Sequence, residues 1–465
     1  MKPERKFTAT EIYALAFGLF LGLAFWKFGN PVILDHKIIP PSTPSEFLAD
    51  SWPTHWAIWV FLPLALISTA FAFKGKLRWP ATRWLWLLPL LWFGWQLISA
   101  SQTVDADLTR ATLWQFFGCV ACYFIGAFVL NREDVLRWLL VSVLAAFAFC
   151  LVRAVDQRLV EFPQSHQMLV EGERDGWTNV PPEMLLEMKQ EQIVITTNGV
   201  DVANPVVLKK FASGRVMGTL VYPNALAGAV LLLLPVALTL AFGTRKLRPA
   251  IRAIVITLTC VLGGAGFFWT GSKLGWLIAM AMGGLYLFRL NWPTGLKFAA
   301  LAFIVILGLG IFAVRFHNYF AAGATSAGAR LDYWHAAIQT TAKNPIVGTG
   351  PGTFQRPYAQ IKSPDAEMAR LAHNDYLEQF SDSGIPGGIF YGAWIVLALV
   401  TVGKRVWKGG NQTIFAIFIG LLGWFIQGVG EFSLYIPALA WTAFTLLGCS
   451  LALTGNQFDK KPAAG

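Results

Sequence analysis

Twelve long apolar runs divide the chain, and short basic segments or longer polar segments separate them. A helix needs about 20 apolar residues to cross the hydrocarbon core of a bilayer. The pattern therefore predicts twelve transmembrane helices, of which the third and the eighth are the shortest. Their approximate bounds are 8–26, 54–73, 84–99, 111–130, 135–152, 217–242, 251–270, 274–289, 297–315, 385–403, 412–430 and 434–453.

The composition agrees with this pattern. The 465 residues are 55% hydrophobic and only 14% charged, and the mean hydropathy is +0.53. A soluble domain has about 25% charged residues. A soluble enzyme, a secreted disulfide scaffold and a nucleic-acid-binding domain are therefore excluded, and we expect an all-α polytopic membrane protein.

Basic residues are concentrated in every second segment between the runs. Because cytoplasmic segments are enriched in Lys and Arg, this places the N-terminus inside, with 20 of the 37 basic residues and five acidic residues. The inner side then has a net charge of +15 and the outer side −4, which accounts for the overall +11 without nucleic acid. The inner basic residues are Lys2, Arg5, Lys6, Lys74, Lys76, Arg78, Arg83, Arg132, Arg137, Arg245, Lys246, Arg248, Arg252, Arg289, Lys297, Lys404, Arg405, Lys408, Lys460 and Lys461.

Two outer segments are long enough to carry function, since loops beyond about 15 residues are usually functional or disordered. They divide the chain into five predicted regions. These are a five-helix membrane region 1–152, a first long loop 153–216, a four-helix membrane region 217–315, a second long loop 316–384, and a three-helix membrane region with a short tail, 385–465.

The predicted span centres contain no Asp, Glu, Lys, Arg or His, and Gln427 is the nearest polar exception. Ion-coupled transporters usually place ionisable groups near the midplane, so a proton- or sodium-driven carrier is disfavoured, although twelve spans is a common transporter count. The histidines all fall outside, which places any chemistry there. They are His36, His55, His166, His317, His335 and His373.

Three short motifs each have two interpretations. Gly348–Gly352 is glycine-rich, which favours a tight turn over a backbone nest for an anion. Asp105-Ala-Asp107 is either a divalent-cation site or the acidic start of the next helix. Cys119 and Cys122 form a CxxC pattern inside an apolar run, where small-residue packing is favoured over redox chemistry.

The first long loop contains local folding signals. Pro181-Pro182 predicts the start of a charged amphipathic helix, and Asn198-Gly199 between β-branched runs predicts a hairpin. The loop ends so that Arg215 lies at the outer mouth of the sixth span.

The second long loop contains two helical patterns. One covers about 328–342 and begins near Arg330. The other covers 364–383, with Ser363 as N-cap and Gly384 as terminator. One face of this second helix would carry polar groups, which indicates a polar cavity, while a hydrogen bond from the imidazole to a loop carbonyl is the alternative. The residues of this face are Arg370, His373, Asn374 and Leu377.

Four segments in order resemble the O-antigen ligase and polymerase family of bacterial envelope glycosyltransferases. The resemblance covers about 210–390, and one departure is Lys273, where the family usually has Arg. The segments are Gly214-Arg215-Val-Met-Gly218 with Tyr222-Pro223-Asn224, Thr270-Gly271-Ser272-Lys273, Arg330-Leu-Asp-Tyr-Trp334 with Asn344-Pro345 and Gly348–Phe354, and Ala372-His373-Asn374-Asp-Tyr376-Leu377 with Gly384–Gly387.

The resemblance implies a GT-C-like helical bundle in the bacterial inner membrane, with cytoplasmic termini and a periplasmic active site. It implies transfer of a glycan from undecaprenyl diphosphate to an acceptor hydroxyl, with inversion and without a metal or cofactor. A ligase would use a lipid A core acceptor, and a polymerase another lipid-linked repeat. Membrane lipid and envelope-assembly proteins are the other partners implied. A flippase of lipid-linked glycans and a non-catalytic scaffold are the alternatives.

Residue roles follow from this chemistry. Arginine forks suit a diphosphate whose charge grows as the sugar leaves, which indicates Arg215 and Arg330. A proton acceptor with a pKa near neutrality suits the acceptor hydroxyl, and His373 is the candidate, either as base or as a positioning group. The predicted substrate-binding residues are Lys273, Arg370, Asn374, Asn224 and Tyr376.

Overall fold

The computed structural model describes residues 7–74, 84–244, 247–321, 325–407, 409 and 411–458. The first part of the described chain, up to Ser213, contains nine helices and one hairpin. They are α1 (Ala9–Lys27), α2 (Pro44–Ala49), α3 (Thr54–Lys74), α4 (Trp84–Ala100), α5 (Ala106–Phe128), α6 (Glu133–Asp156), α7 (Phe162–Arg174), α8 (Pro182–Gln190) and α9 (Pro205–Ser213), with strands β1 (Val194–Thr197) and β2 (Val200–Ala203) between α8 and α9.

The second half of the chain is also helical. Its helices are α10 (Pro223–Gly243), α11 (Pro249–Thr270), α12 (Lys273–Arg289), α13 (Thr294–Ala321), α14 (Thr325–Lys343), α15 (Gln355–Ile361), α16 (Asp375–Trp407), α17 (Gln412–Gln427) and α18 (Pro437–Phe458).

Each of the twelve predicted apolar runs falls on a helix. Within the described ranges, nine helices are long and apolar enough to cross a membrane. The remaining three runs fall on the shorter helices α4, α12 and α17. The all-α polytopic membrane fold is thus confirmed. The orientation stays a prediction, and part of the basic residues behind it lies outside the described residues: Lys2, Arg5, Lys6, Lys76, Arg78, Arg83, Arg245, Lys246, Lys408, Lys460 and Lys461.

Helices α5 and α18 form the centre of the bundle. Small residues allow their backbones to approach closely. A side chain at Gly126 would meet the backbone of Thr445, and one at Gly448 would meet the backbone of Tyr123. The thiols Cys119 and Cys122 are buried in the same part of α5 and form no disulfide. Helix α18 is consequently the most enclosed candidate span, with 89% of its apolar window buried.

The first long loop folds as a small cap on one end of the bundle, which we call the loop side. Helix α6 continues through a π-helical turn, Gln157–Glu161, into α7. A separate apolar cluster that includes Leu169, Trp177 and Met188 holds the cap together. Helix α8 and the β1–β2 hairpin lie where Pro182 and Asn198-Gly199 predicted them, and both turn residues have positive φ.

The predicted helix 364–383 is wrong in its first half. Residues 362–374 are not helical, and α16 begins at Asp375. Asn374 caps α16 because its Oδ1 accepts the N–H groups of Tyr376 and Leu377. The preceding residue, His373, has a left-handed backbone with φ 50°. Arg370 therefore does not share a helical face with His373, and Gly384 (φ 69°, ψ −177°) kinks α16 instead of ending it.

The glycine-rich segment Gly348–Gly352 is a turn whose backbone N–H groups bind Asp382 of α16. Three of its glycines have positive φ. The Gly350 N–H donates to the carbonyl of Asp382, and the Gly352 N–H donates to the carboxylate of Asp382 over 2.7 Å. A nest of this kind attracts anions. Since Asp382 of α16 occupies it, the turn fixes the second loop against the bundle.

The close α5–α18 packing can be tested with a pair of glycine variants. We expect Gly448→Leu to destabilise the protein by at least about 1–3 kcal/mol, because overpacked interfaces cannot relax freely. Gly94→Leu is the control, since no atom lies within 4 Å of a Cβ built there. Thermal unfolding in detergent, followed by fluorescence-detected gel filtration, would measure both. An unchanged melting temperature for Gly448→Leu would contradict this packing.

Candidate active site

The segment between α9 and α10 is hydrogen-bonded to the π-helical turn Gln157–Glu161. Gly214 ends α9 with φ 57°. The side-chain oxygen of Gln157 accepts the N–H groups of Met217 and Gly218, and its amide nitrogen donates to the Gly218 carbonyl. π-helical turns often occur at functional sites. Here the turn fixes the backbone that carries Arg215.

The guanidinium of Arg215 is oriented by two neighbours. Its Nε donates to the Thr270 carbonyl over 2.7 Å, and its Nη2 donates to Oδ1 of Asn224 over 3.0 Å. Gly271 ends α11 in a left-handed conformation, and Ser272 caps α12. This tight helix–helix connection places Lys273, the first residue of α12, beside Arg215.

Glu431 is the centre of the site, although its carboxylate is only 1% exposed. It lies in the connection between α17 and α18. Its Oε1 accepts from Nη2 of Arg330 over 2.6 Å and from Nδ2 of Asn224 over 2.7 Å. Its Oε2 accepts from the hydroxyl of Tyr222 over 2.9 Å. One buried carboxylate therefore joins α14, the start of α10 and the α17–α18 connection.

His373 lies at the edge of this network. Its ring packs between Tyr333 and Phe432, with centroid distances of 5.9 and 4.7 Å. Its Nδ1 lies 3.7 Å from Oε2 of Glu431, too far for a hydrogen bond. That buried nitrogen has no hydrogen-bond partner among the residues described. Because Nδ1 faces Glu431 and the side chain is 28% exposed, Nε2 is the nitrogen that can reach a substrate.

Four cations lie close enough to interact with one another. Arg315 of α13 joins Arg215, Lys273 and Arg330, and the aromatic ring of Tyr319 lies 3.8 Å from Nζ of Lys273. Of these four, only Arg330 has a carboxylate within 4 Å among the described residues. Burial, together with the three nearby guanidinium groups, lowers the pKa of Lys273 to about 8. Below that pH the four cations and the one carboxylate, Glu431, give the site a net charge of +3. This charge suits an anion with two or more negative charges.

Three predicted site residues lie elsewhere or have other partners. Asn374 caps α16. The hydroxyl of Tyr376 donates to the Phe425 carbonyl, and its ring packs against Tyr391. Arg370 lines a different cavity, next to α3 and α5. The structure thus brings together five of the predicted residues: Arg215, Asn224, Lys273, Arg330 and His373.

Sequence reasoning missed Glu431, Arg315 and Tyr222. Glu431 has a signal that could have been used, because it is the sole charged residue between 411 and 458. A charge isolated among apolar residues of a membrane protein is usually functional. Arg315 and Tyr222 lie at span ends, where basic and aromatic residues are common. The hydropathy pattern therefore does not distinguish them from ordinary interfacial residues.

The Asp105-Ala-Asp107 motif forms the start of a helix. Oδ1 of Asp105 accepts the Leu108 N–H and so caps α5, and Oδ2 pairs with Arg356. Burial raises the pKa of Asp105, but these hydrogen bonds outweigh it and the net pKa is lowered. Asp107 is exposed beside Arg110. Among the residues described, no group of three or more His, Cys, Asp or Glu could hold a metal ion.

One segment of the chain matches a known family. Residues 258–392 match the family described as O-antigen ligase. Over this segment, less than a third of the chain, the protein is similar to the O-antigen ligase family. The match includes Lys273, Arg330 and His373, while Arg215, Asn224 and Glu431 lie outside it in sequence. No curated protein matches the chain.

This match confirms the resemblance seen in the sequence. It supports a membrane glycosyltransferase-like enzyme of O-antigen ligase or polymerase type, with a role in polysaccharide biosynthesis. The matched segment contains α12 to α15 and the first half of α16. It thus contributes three of the four cations and the histidine.

The titration of Lys273 gives a pH prediction. The ammonium is charged below about pH 8 and neutral above it, so affinity for an anion should fall as the pH rises from 7 to 9. We expect roughly a tenfold loss, because a hydrogen bond to a charged group contributes about 1.5–3 kcal/mol. The ligand would be a diphosphate diester, whose own charge is constant over this range, and calorimetry in detergent would measure binding.

Lys273→Arg is the matched variant for this measurement. Arginine stays charged at all these pH values, so its affinity should be nearly constant from pH 7 to 9. The same slope in wild type and Lys273→Arg would show that another group causes the pH dependence.

Proposed function

We propose that this protein transfers a glycan from undecaprenyl diphosphate to a hydroxyl of a lipid A core acceptor. The loop side would face the periplasm, with both termini in the cytoplasm and the spans in the bacterial inner membrane. The observation that supports this most directly is the position of the cation cluster above an apolar groove. In a diphosphate attached to a long hydrocarbon chain, the diphosphate would bind the cation cluster and the hydrocarbon would lie in the groove.

The groove lies between α10, α12 and α17 and has a volume of about 630 Å³. It begins at Val230 and Ala279, each six residues along its helix from Asn224 and Lys273 respectively, or about 9 Å at 1.5 Å per residue. Its far end at Phe242 is about 18 Å further along α10. The lining is mostly apolar, and half of its residues are Leu, Val, Phe or Met, which suits an isoprenoid chain.

The cation cluster would hold the diphosphate of the donor. Arg215 is already oriented by Thr270 and Asn224, so little side-chain entropy is lost on binding. The buried Nε of Arg330 has no hydrogen-bond partner in the described part of the chain and is available to a phosphate oxygen. The excess positive charge stabilises the leaving group, whose negative charge increases by one as the sugar departs.

The reaction would be a single displacement. The acceptor oxygen attacks the anomeric carbon and forms the new glycosidic bond, while the bond from that carbon to the diphosphate oxygen breaks. The electron pair of the broken bond goes to the diphosphate, and the hydroxyl proton goes to Nε2 of His373. Inversion follows because the acceptor oxygen and the diphosphate lie on opposite sides of the carbon.

Glu431 would act as a positioning residue in this reaction. A carboxylate beside Nδ1 favours the tautomer in which Nδ1 is protonated and Nε2 accepts a proton. The 3.7 Å between Nδ1 of His373 and Oε2 of Glu431 is longer than a hydrogen bond. Such contacts commonly shorten when substrate binds. The same carboxylate orients Arg330, so acid–base chemistry and diphosphate binding share one support.

The first test is product formation by the purified protein. In detergent with EDTA, a short lipid-linked glycan and a lipid A core acceptor should give a single-transfer product, detected by mass spectrometry. His373→Ala and Arg330→Ala should reduce the rate by about 10²–10⁴-fold, as expected for loss of a general base or an oxyanion donor. His335→Ala is the control, because His335 is exposed on α14 and pairs only with Gln339 among the described residues.

The outcomes separate the alternatives. A ladder of donor-linked products would indicate a polymerase. Full activity in His373→Ala would remove the catalytic role of this residue. Absence of product with every acceptor, together with transbilayer movement of intact donor in vesicles, would indicate a flippase.

The groove can be tested with donors of different chain length. Ala279→Trp should fill the groove and raise KM for a 55-carbon donor by about tenfold, since each buried methylene contributes about 0.8 kcal/mol. KM for a five-carbon donor should hardly change, because its chain ends before the tryptophan. Leu277→Trp, on the exposed face of the same helix, is the control. Equal effects on both donors would refute the assignment of the groove to the isoprenoid.

A further inference from the structure

We propose that a second cavity on the loop side binds the acceptor, with its saccharide at the polar rim and its lipid anchor along the apolar wall. This inference rests on the proposed function of the cation cluster. The cavity has a volume of about 890 Å³ and lies between the turn Val32–Lys37, the first halves of α3 and α5, α15 and the start of α18. None of the four clustered cations lines it.

The lining changes from polar to apolar with depth. Its polar residues are Asp35, His36, Lys37, His55, Asp105, Asp107, Arg110, Gln355, Arg356 and Arg370. On α3 the wall continues from His55 to Leu62, seven residues or about 10 Å towards the centre of the bundle. The deeper wall carries Ile58, Trp59 and Trp114, and the two indoles are 71% and 44% exposed. Such a cavity fits an amphiphile, with its sugar at the rim and its anchor along the indoles.

Two polar groups in this cavity are free to bind a ligand. Arg370 has no ion-pair partner within 4 Å in the described ranges, whereas the three acidic residues of the rim are each paired. Gln115 is buried, its amide nitrogen is fixed by the Leu434 carbonyl, and its Oε1 has no partner among the described residues. An unpaired buried carbonyl oxygen is costly unless a donor reaches it. A sugar hydroxyl would supply that donor.

The cavity reaches the two chain segments that carry His373 and Glu431. Arg370 precedes His373 by three residues, so their Cα atoms are at most about 10 Å apart. Pro437, also in the cavity wall, follows Glu431 by six residues. His373 and Glu431 thus face the cations, while neighbouring residues of the same two segments face the cavity.

Inversion at the anomeric carbon explains why the donor and the acceptor would need two separate cavities. The attacking oxygen must reach the anomeric carbon from the side opposite the diphosphate. With the diphosphate among the four cations, the acceptor has to come from the other side of His373. The second cavity, which none of the four cations lines, would supply that approach, and the lipid anchors of donor and acceptor would occupy separate grooves.

Initial-rate kinetics with donor and acceptor varied independently test this inference. Ala111→Trp should fill the cavity and raise the acceptor KM at least about tenfold, with the donor KM within twofold of wild type. Trp114→Ala, which cannot overpack, should raise the acceptor KM severalfold. Ile67→Trp is the control, because Ile67 is on α3, is exposed and does not line the cavity. Wild type should prefer a lipid-anchored acceptor to the free oligosaccharide, and Ala111→Trp should lose that preference.

The results separate this inference from the proposed function. Wild-type transfer with an unchanged acceptor KM in both cavity variants would overturn the acceptor site while leaving the function intact. If wild type forms no product, binding of a fluorescent lipid-anchored saccharide without donor decides the inference. Saturable binding lost in Ala111→Trp and kept in Ile67→Trp would support the cavity as a glycolipid site. Equal binding in all three proteins would exclude it.

Discussion

The site depends on a single buried carboxylate. Glu431 is almost fully enclosed, and a charge in such a place is unfavourable unless it is paired and hydrogen-bonded. Arg330, Asn224 and Tyr222 all donate to it. These partners come from two separate parts of the bundle, α14 and the start of α10, so the carboxylate fixes both of them relative to the α17–α18 connection. The loop that carries His373 then packs on Phe432, the neighbour of Glu431.

The repulsion between the cations near Glu431 destabilises the fold but suits the binding of an anion. Four of them share a small region with one carboxylate, and their mutual repulsion, with burial, lowers the pKa of Lys273. Nothing in the fold requires this repulsion, since three of these side chains have no carboxylate within 4 Å in the described part of the chain. A bound diphosphate would relieve it. The proposed diphosphate site would therefore be preorganised for an anion, at some cost to the stability of the protein.

Local patterns predicted the fold well, and long-range contacts explain what they missed. The twelve apolar runs, helix α8 and the β1–β2 hairpin depend on residues close in sequence. The helix expected at 364–383 failed because Asn374 caps α16 and the carboxylate of Glu378 accepts the Ala372 N–H, which fixes a loop before the helix. Glu431 was missed because its partners Arg330 and Tyr222 are 101 and 209 residues away in sequence. The motifs identified individual cations, but no spacing rule connects them to this carboxylate.

The two cavities also explain why motifs do not distinguish a ligase from a polymerase. In the proposed function, both reactions would use the same kind of donor, the same cations, the same histidine and the same leaving group. The matched segment 258–392 supplies most of that donor side. The second cavity is instead lined largely by the turn Val32–Lys37, α3 and α5, all outside the matched segment. Since the acceptor decides between the two reactions, specificity would depend on this N-terminal part of the chain, which can vary while the donor side stays the same.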